Sequence, residues 1–349
     1  LQINAIKGDM FYGILRPLLF AIPPEKAHHL ALHFVGFLGK KTENRALEQQ
    51  LFGISFSNPV GLSAGFDKNA EAVAALSKVG FGFLELGTVT PLPQPGNPQP
   101  RVFRLIEDEA VINRLGFNNG GLEVFCRNLK NSPRELPLGA NIGKNKDQQD
   151  AIADYVKGLE AVSPLADYVT VNISSPNTQG LRALQEQESL KELLDALMQK
   201  RTKPILLKVA PDLDPEQIVA ISEVVLESGI DGLIVSNTTI TRPESLSSSK
   251  ATEKGGLSGK PLMDSSTEVL KAFAKQIKGK IPLIGVGGIA SGEDAYRKIK
   301  AGASLVQLYT ALIYQGPGLI ARINKELSEC LERDGYAHIS EAIGVEIDE

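Results

Sequence analysis

Short apolar runs rich in Val, Ile and Leu recur along most of the chain, separated by longer stretches in which apolar residues return at helical spacing. Runs apolar on both faces mark parallel strands covered on both sides, and their alternation with amphipathic segments predicts βα units. Eight such units are placed, with strands at Val60 to Ala64, Gly82 to Leu86, Leu138 to Ile142, Tyr168 to Ile173, Ile205 to Val209, Gly232 to Ser236, Leu283 to Val286 and Ser304 to Leu308. In KVGFGFLEL, ESGIDGLIV and KAGASLVQL a glycine (Gly80, Gly229, Gly302) stands between helix and strand, where a left-handed helix cap is expected. A doubly wound sheet would use the same junctions; the count of eight favours an α/β fold of the (β/α)8 barrel type.

The first fifty residues do not follow this pattern and read as a separate two-helix extension, residues 1–50, before a barrel domain of residues 51–349. One helix carries Phe11, Ile14, Leu15, Leu18 and Leu19 on a stripe; a second, begun by Pro23 and Pro24, carries Ala27, Leu30, Ala31, Phe34, Val35 and Leu38. Periodicity alone favours a hairpin packed on the core. Phe20, Leu32 and Phe37 lie off the stripes, however, and predict a second, exposed apolar face of the kind that rests on a membrane surface.

Composition narrows the function. With 349 residues, 42% hydrophobic and 22% charged, the chain buries a large core, and a formal net charge of −4 with interspersed signs offers nothing to a phosphate backbone. The two cysteines, Cys126 and Cys330, fall in helical stretches, so no disulfide framework is expected. Of four histidines, His28, His29 and His33 are near the start and His338 near the end, leaving no histidine for a triad or zinc site in the barrel. No run is apolar enough to span a bilayer, since Arg16 and Pro17 interrupt the best of them. No signal peptide is evident, and the chain opens on Leu1 rather than methionine, which leaves the compartment open.

In a barrel the chemistry sits at the C-terminal ends of the strands. There the sequence places Lys68, Thr88, Asn141, Asn172, Asn177, Lys208, Ser236 and Asn237. Amides both donate and accept, and lysines favour carboxylates, so the set suits a planar heterocyclic acid, although single asparagines at such positions also serve turns. After the seventh strand IGVGGIAS brings Gly287 and Gly288, and after the eighth comes LYTALIYQGPG, the two loops where barrels seat a phosphate on backbone N–H groups beside a helix N-terminus. NISSPN opens a long loop after the fourth strand with Gly180 as a candidate lid hinge. Its Ser175 is read either as part of a Ser-Pro turn or as a base that needs a neighbouring charge or a water path.

The segments GLSAGFDKN, ELGTVTPLPQPGNPQPRVFRL, INRLGFNN, NIGKNK, NISSPNTQGLR, LLKVAPDL, SNTT, GGLSGKPL, IGVGGI and LVQLYTALIYQGP, in this order, resemble the dihydroorotate dehydrogenase family across nearly the whole chain. The resemblance implies FMN-dependent oxidation of dihydroorotate to orotate in pyrimidine synthesis. It makes Ser175 the base for the C5 proton and assigns the substrate to Lys68, Asn113, Arg114, Leu115, Gly116, Phe117, Asn172, Asn177, Asn237 and Thr238. It assigns the flavin to Ala64, Gly65, Phe66, Asp67, Lys68, Thr88, Asn141, Asn172, Lys208, Ser236, Gly259, Gly287, Gly288, Tyr309 and Thr310, with Lys208 near the ring. Ser63 stands where the family pattern has alanine.

Serine at 175, where soluble relatives have cysteine, and the N-terminal helices together resemble the membrane-associated, quinone-dependent branch. That branch implies a quinone path lined by His28, Arg104 and Tyr309, with His29 an alternative to His28. It also implies a peripheral protein at the cytoplasmic face of a bacterial inner membrane, or at the mitochondrial inner membrane, with a monomer favoured. Two rival classes are an aldolase using Lys208 as a Schiff-base nucleophile and a catalytically silent scaffold.

Overall fold

The structure is a computed structural model that describes residues 2–37, 44–178 and 180–348, without the side chains of residues 2–11, 34 and 37. The expectations for Phe11, Phe34, Phe37 and Leu38 therefore lie outside the described side chains. Eight parallel strands close into a barrel: β1 (Val60–Leu62), β2 (Phe83–Val89), β3 (Leu138–Ile142), β4 (Tyr168–Asn172), β5 (Ile205–Val209), β6 (Gly232–Val235), β7 (Leu283–Val286) and β8 (Ala303–Leu308). The order is sequential, and β8 pairs with β1 through Val306 and Val60 to complete the ring. The expected strands are all present. Ala64 and Ser236 fall just past their ends, where the backbone leaves the ladder for the ligand face.

Most strand side chains are apolar on both faces because helices pack outside and other side chains fill the inside. Phe56, Phe83, Tyr168, Leu206, Ile234, Ile284 and Leu305 form one buried cluster in the barrel interior. Gly61 and Gly139 make room for it: a Cβ at Gly61 would lie 2.2 Å from the Phe83 ring, and one at Gly139 2.1 Å from the Tyr168 ring. The hairpin of Gln49–Leu51 and Ile54–Phe56 supplies Phe56 and closes this end. Gly229 caps its helix in the left-handed region at φ 73°; Gly80 and Gly302 also take positive φ, at 107° and 114°, just beyond their helices.

At the other end an antiparallel sheet of Val102–Leu105, Ala110–Asn113 and Gly256–Gly259 stands beside the mouth. Across it lie α1 (Gln2–Ala21) and α2 (Pro24–Phe34), the latter begun by Pro24 at its first turn. Both are fastened by arginines of the sheet region. Arg101 forms an ion pair with Glu25 of α2 at 2.8 Å, and Arg104 donates to the carbonyls of Leu19 and Ile22 while stacking over Phe20. The exposed apolar face is made by Ile14 and Leu18, each 67% exposed, and Leu30, 45% exposed. Leu32 corrects the expectation: it is buried with the core, so this face comes from residues on the stripes. No helix among the described residues is long and apolar enough to cross a membrane.

Candidate active site

A cavity of about 550 Å³ opens at the C-terminal end of the barrel, within the range of small-molecule and cofactor sites. Its floor is polar and its outer part, formed by α1 and α2, is apolar. At the base of the site β2 places Glu85 fully inside the barrel, where its carboxylate accepts from Asn141 Nδ2 at 2.8 Å, Gln307 Nε2 at 2.8 Å and Thr170 Oγ1 at 3.1 Å. Lys208 Nζ lies 3.6 Å from the same carboxylate and donates to Ser63 Oγ at 3.2 Å. Burial pulls the Lys208 ammonium below the ordinary lysine range, and Glu85 opposes that fall. Ser63, the departure from alanine, thus holds the lysine as well as packing beside the site.

Above this pair the amides interlock. Asn172 Nδ2 donates to Thr88 Oγ1 at 3.0 Å and lies 3.3 Å from Asn141 Oδ1, while Asn237 Nδ2 donates to Ser174 Oγ at 3.0 Å. Asn177 Nδ2 reaches the Asn113 carbonyl at 3.1 Å. Ser175 is 6% exposed, lines the cavity and accepts only the Asn177 N–H, at 3.3 Å, among the described residues. Lys68 Nζ donates to the Gly65 carbonyl at 2.8 Å; burial brings it down to about 8 despite the nearby carboxylates of Glu25 and Asp67.

Gly287 and Gly288 line the cavity at φ 115° and 82°, a region that favours glycine, and Gly259 joins them at φ 100°. The helix Gly292–Lys300 behind them does not offer its N-terminus to a ligand. Ser291 accepts the Asp294 N–H, Asp294 accepts the Ala290 N–H, and Glu326 accepts the Gly292 N–H. Thr310–Gln315, which begins at the cavity, has no side-chain cap on its first turn.

Most of the residues expected at the site meet here: Ala64, Gly65, Phe66, Thr88, Leu115, Gly116, Phe117, Ser236, Thr238, Tyr309 and Thr310 line the cavity with those already described. Two do not. Arg114 turns outward to Glu253 at 2.7 Å and stacks on Phe103. Asp67 is fully buried and accepts the Glu71 and Ala72 N–H groups, so its carboxylate caps its own loop. Asn141 lies just under the cavity, bonded to Thr88 and Glu85.

At the apolar end both His28 and His29 line the cavity, His28 half-buried against the barrel and His29 exposed. The His28 ring meets Phe66 edge-on at 5.1 Å, and its Nδ1 is 3.5 Å from Tyr309 Oη. Burial, with Lys68 and His29 adding to it, pushes His28 down to about 3. Arg104 lines the same region, although its contacts to Leu19 and Ile22 engage both terminal nitrogens.

Sequence reading passed over Glu85, Gln307 and Thr170; the signal was polar residues in the middle of largely apolar strands. It also passed over Arg182, which ties the Ser175 loop down through Ser174, Asp212 and Thr238. Gly180, the candidate hinge, does take a left-handed conformation at φ 70°. Thr178 Oγ1 is buried with no partner among the described residues.

The family model described as dihydroorotate dehydrogenase matches residues 46–331. A protein named dihydroorotate dehydrogenase (quinone) from Parvibaculum lavamentivorans is 53% identical over 97% of this chain and 99% of its own length. The mouse protein named dihydroorotate dehydrogenase (quinone), mitochondrial, is 48% identical over 99% of this chain and 92% of its own. The crystal structure of the Eimeria tenella enzyme in complex with ferulenol superposes with a TM-score of 0.90 at 42% identity, covering 93% of this chain and 96% of that one. The chain belongs to the dihydroorotate dehydrogenase family.

Proposed function

We propose that this chain oxidises (S)-dihydroorotate to orotate, with FMN as its prosthetic group and a membrane quinone as electron acceptor, in pyrimidine biosynthesis. The observation that carries this reading is a single cavity whose polar amide floor, with Lys208 and a glycine loop, continues into an apolar outer part built by two added helices. The donor set fits FMN. Backbone N–H groups at Gly287 and Gly288 suit its phosphate, and the amide and lysine floor suits a ring with N–H and C=O edges; Gln307 Oε1, buried and unpartnered among the described residues, awaits a donor.

Bound FMN supplies the acceptor for the C6 hydride. Ser175 takes the C5 proton, so that the substrate loses one proton and one hydride and gains a C5–C6 double bond. Thr178, three residues on, carries a buried hydroxyl with no partner among the described residues and can receive that proton. Asn113, Asn172, Asn177, Asn237 and Thr238 hold the ring, Lys68 meets the carboxylate, and Lys208 presents positive charge where negative charge develops. His28, Arg104 and Tyr309 line the quinone path. The exposed Ile14, Leu18 and Leu30 support seating on a bilayer surface, at the cytoplasmic face of a bacterial inner membrane or its mitochondrial counterpart, as a monomer.

Anaerobic mixing tests substrate, cofactor and acceptor together. Dihydroorotate is expected to bleach the flavin absorbance and a quinone to restore it, whereas NAD and fumarate leave it bleached. Protein that stays colourless after FMN is added, or colour that returns with NAD, overturns the reading.

A further inference from the structure

Behind the glycine loop lies a lysine that the proposed reaction does not use. Lys298, on the helix Gly292–Lys300, is fully buried beneath Gly285 of β7. Its Nζ donates to Ser266 Oγ at 2.6 Å and forms no ion pair among the described residues. Asp294, Asp264 and Glu268 favour its charge without touching it, Arg297 opposes it, and burial pushes the ammonium well below its ordinary value. A lone ammonium in a dry interior is costly unless an anion or a dipole offsets it.

Ser266 links this lysine to the loop. With its oxygen accepting from Lys298, its one proton goes to a carbonyl, and the Gly287 oxygen lies 3.1 Å away, beside Met263 O at 3.2 Å. In a trans peptide the C=O and the following N–H point in opposite directions. A Gly287 carbonyl turned back toward Ser266 therefore turns the Gly288 N–H away from it, toward the cavity that both glycines line. That N–H donates to no acceptor among the described residues.

We propose that Lys298, acting through Ser266, is the positioning residue of the phosphate-binding loop: it fixes the Gly287–Gly288 peptide with its N–H on the cavity side and places a positive charge behind it. The proposal rests on the FMN reading and concerns only the phosphate end of that ligand. It accounts for a buried cation whose counter-charge arrives with the cofactor.

The test titrates FMN and riboflavin, which lacks the phosphate, into flavin-stripped protein, following the loss of flavin fluorescence in wild type, Lys298→Met and Ser266→Ala. FMN affinity is expected to fall by about tenfold to a hundredfold in both variants, the scale of one lost charge-assisted hydrogen bond, with riboflavin affinity unchanged. The phosphorus resonance of bound FMN should also move in Ser266→Ala. Unchanged FMN affinity, or equal weakening of FMN and riboflavin, overturns the proposal. Should Lys298→Met fail to fold, Ser266→Ala decides alone. Wild-type protein that binds neither flavin, or binds both equally, overturns the FMN reading itself and is told apart by that control.

Discussion

Ser175 sits against the amide network with no charged partner among the described residues, so its hydroxyl depends on geometry and on an outlet for the proton. Replacing it with alanine is expected to slow flavin reduction by dihydroorotate by about 10²- to 10⁴-fold, the usual contribution of a positioned base, while flavin content is unchanged. Stopped-flow absorbance checks this. Glu85 and Lys208 pose a different question, because both are buried and each satisfies the other. Glu85→Ala leaves the ammonium uncompensated and is expected to cost about 3–5 kcal/mol of stability, read by denaturant unfolding. The two residues also differ in legibility. The asparagines stand at strand ends, where a barrel exposes side chains, and could be read from position, whereas the role given to Ser175 came from the family resemblance. Glu85 and Gln307 stand inside strands, where only the pairing of neighbouring strands shows that their side chains meet at the centre. Arg114 shows the limit of a motif, which gives a residue's place in the chain but not which way its side chain turns.

At the scale of elements, α2 depends on the protonation of His28. Its value in the folded protein, about 3, lies below the ordinary 6.5, so the unfolded or detached helix binds a proton first as the pH falls. The stability it contributes is fully present above about 6.5 and is lost progressively as the pH falls toward 3. Hydrogen-exchange protection of α2 is therefore expected to drop at pH 4.5 relative to pH 7 more than that of the barrel strands, and His28→Asn should remove most of the difference. The existence of both helices was legible from apolar spacing, but their outer face was not. Which of Ile14, Leu18, Leu30 and Leu32 meets water depends on how the helices rest on the sheet, and that is set by Arg101 and Arg104 from distant sequence.

In the whole molecule the proposed reaction divides its two halves along one cavity. Deleting residues 1–40 is expected to abolish quinone reduction and the dependence on detergent while dihydroorotate still bleaches the flavin, as measured by separate half-reaction assays. Unchanged quinone turnover would remove the role given to α1 and α2. The barrel was the most legible level, because eight similar runs each report the same two-sided burial and errors at single strand ends do not change the count.

The aromatic cluster around Phe56, Phe83 and Tyr168 makes the barrel a blind well rather than a tunnel. Every molecule that enters must leave by the rim through which it came, so traffic is confined to one hemisphere of the protein. The opposite hemisphere, around the hairpin at Gln49–Phe56, is free of that traffic and is the side by which the enzyme can be tethered to a solid support or fused to another protein without obstructing turnover.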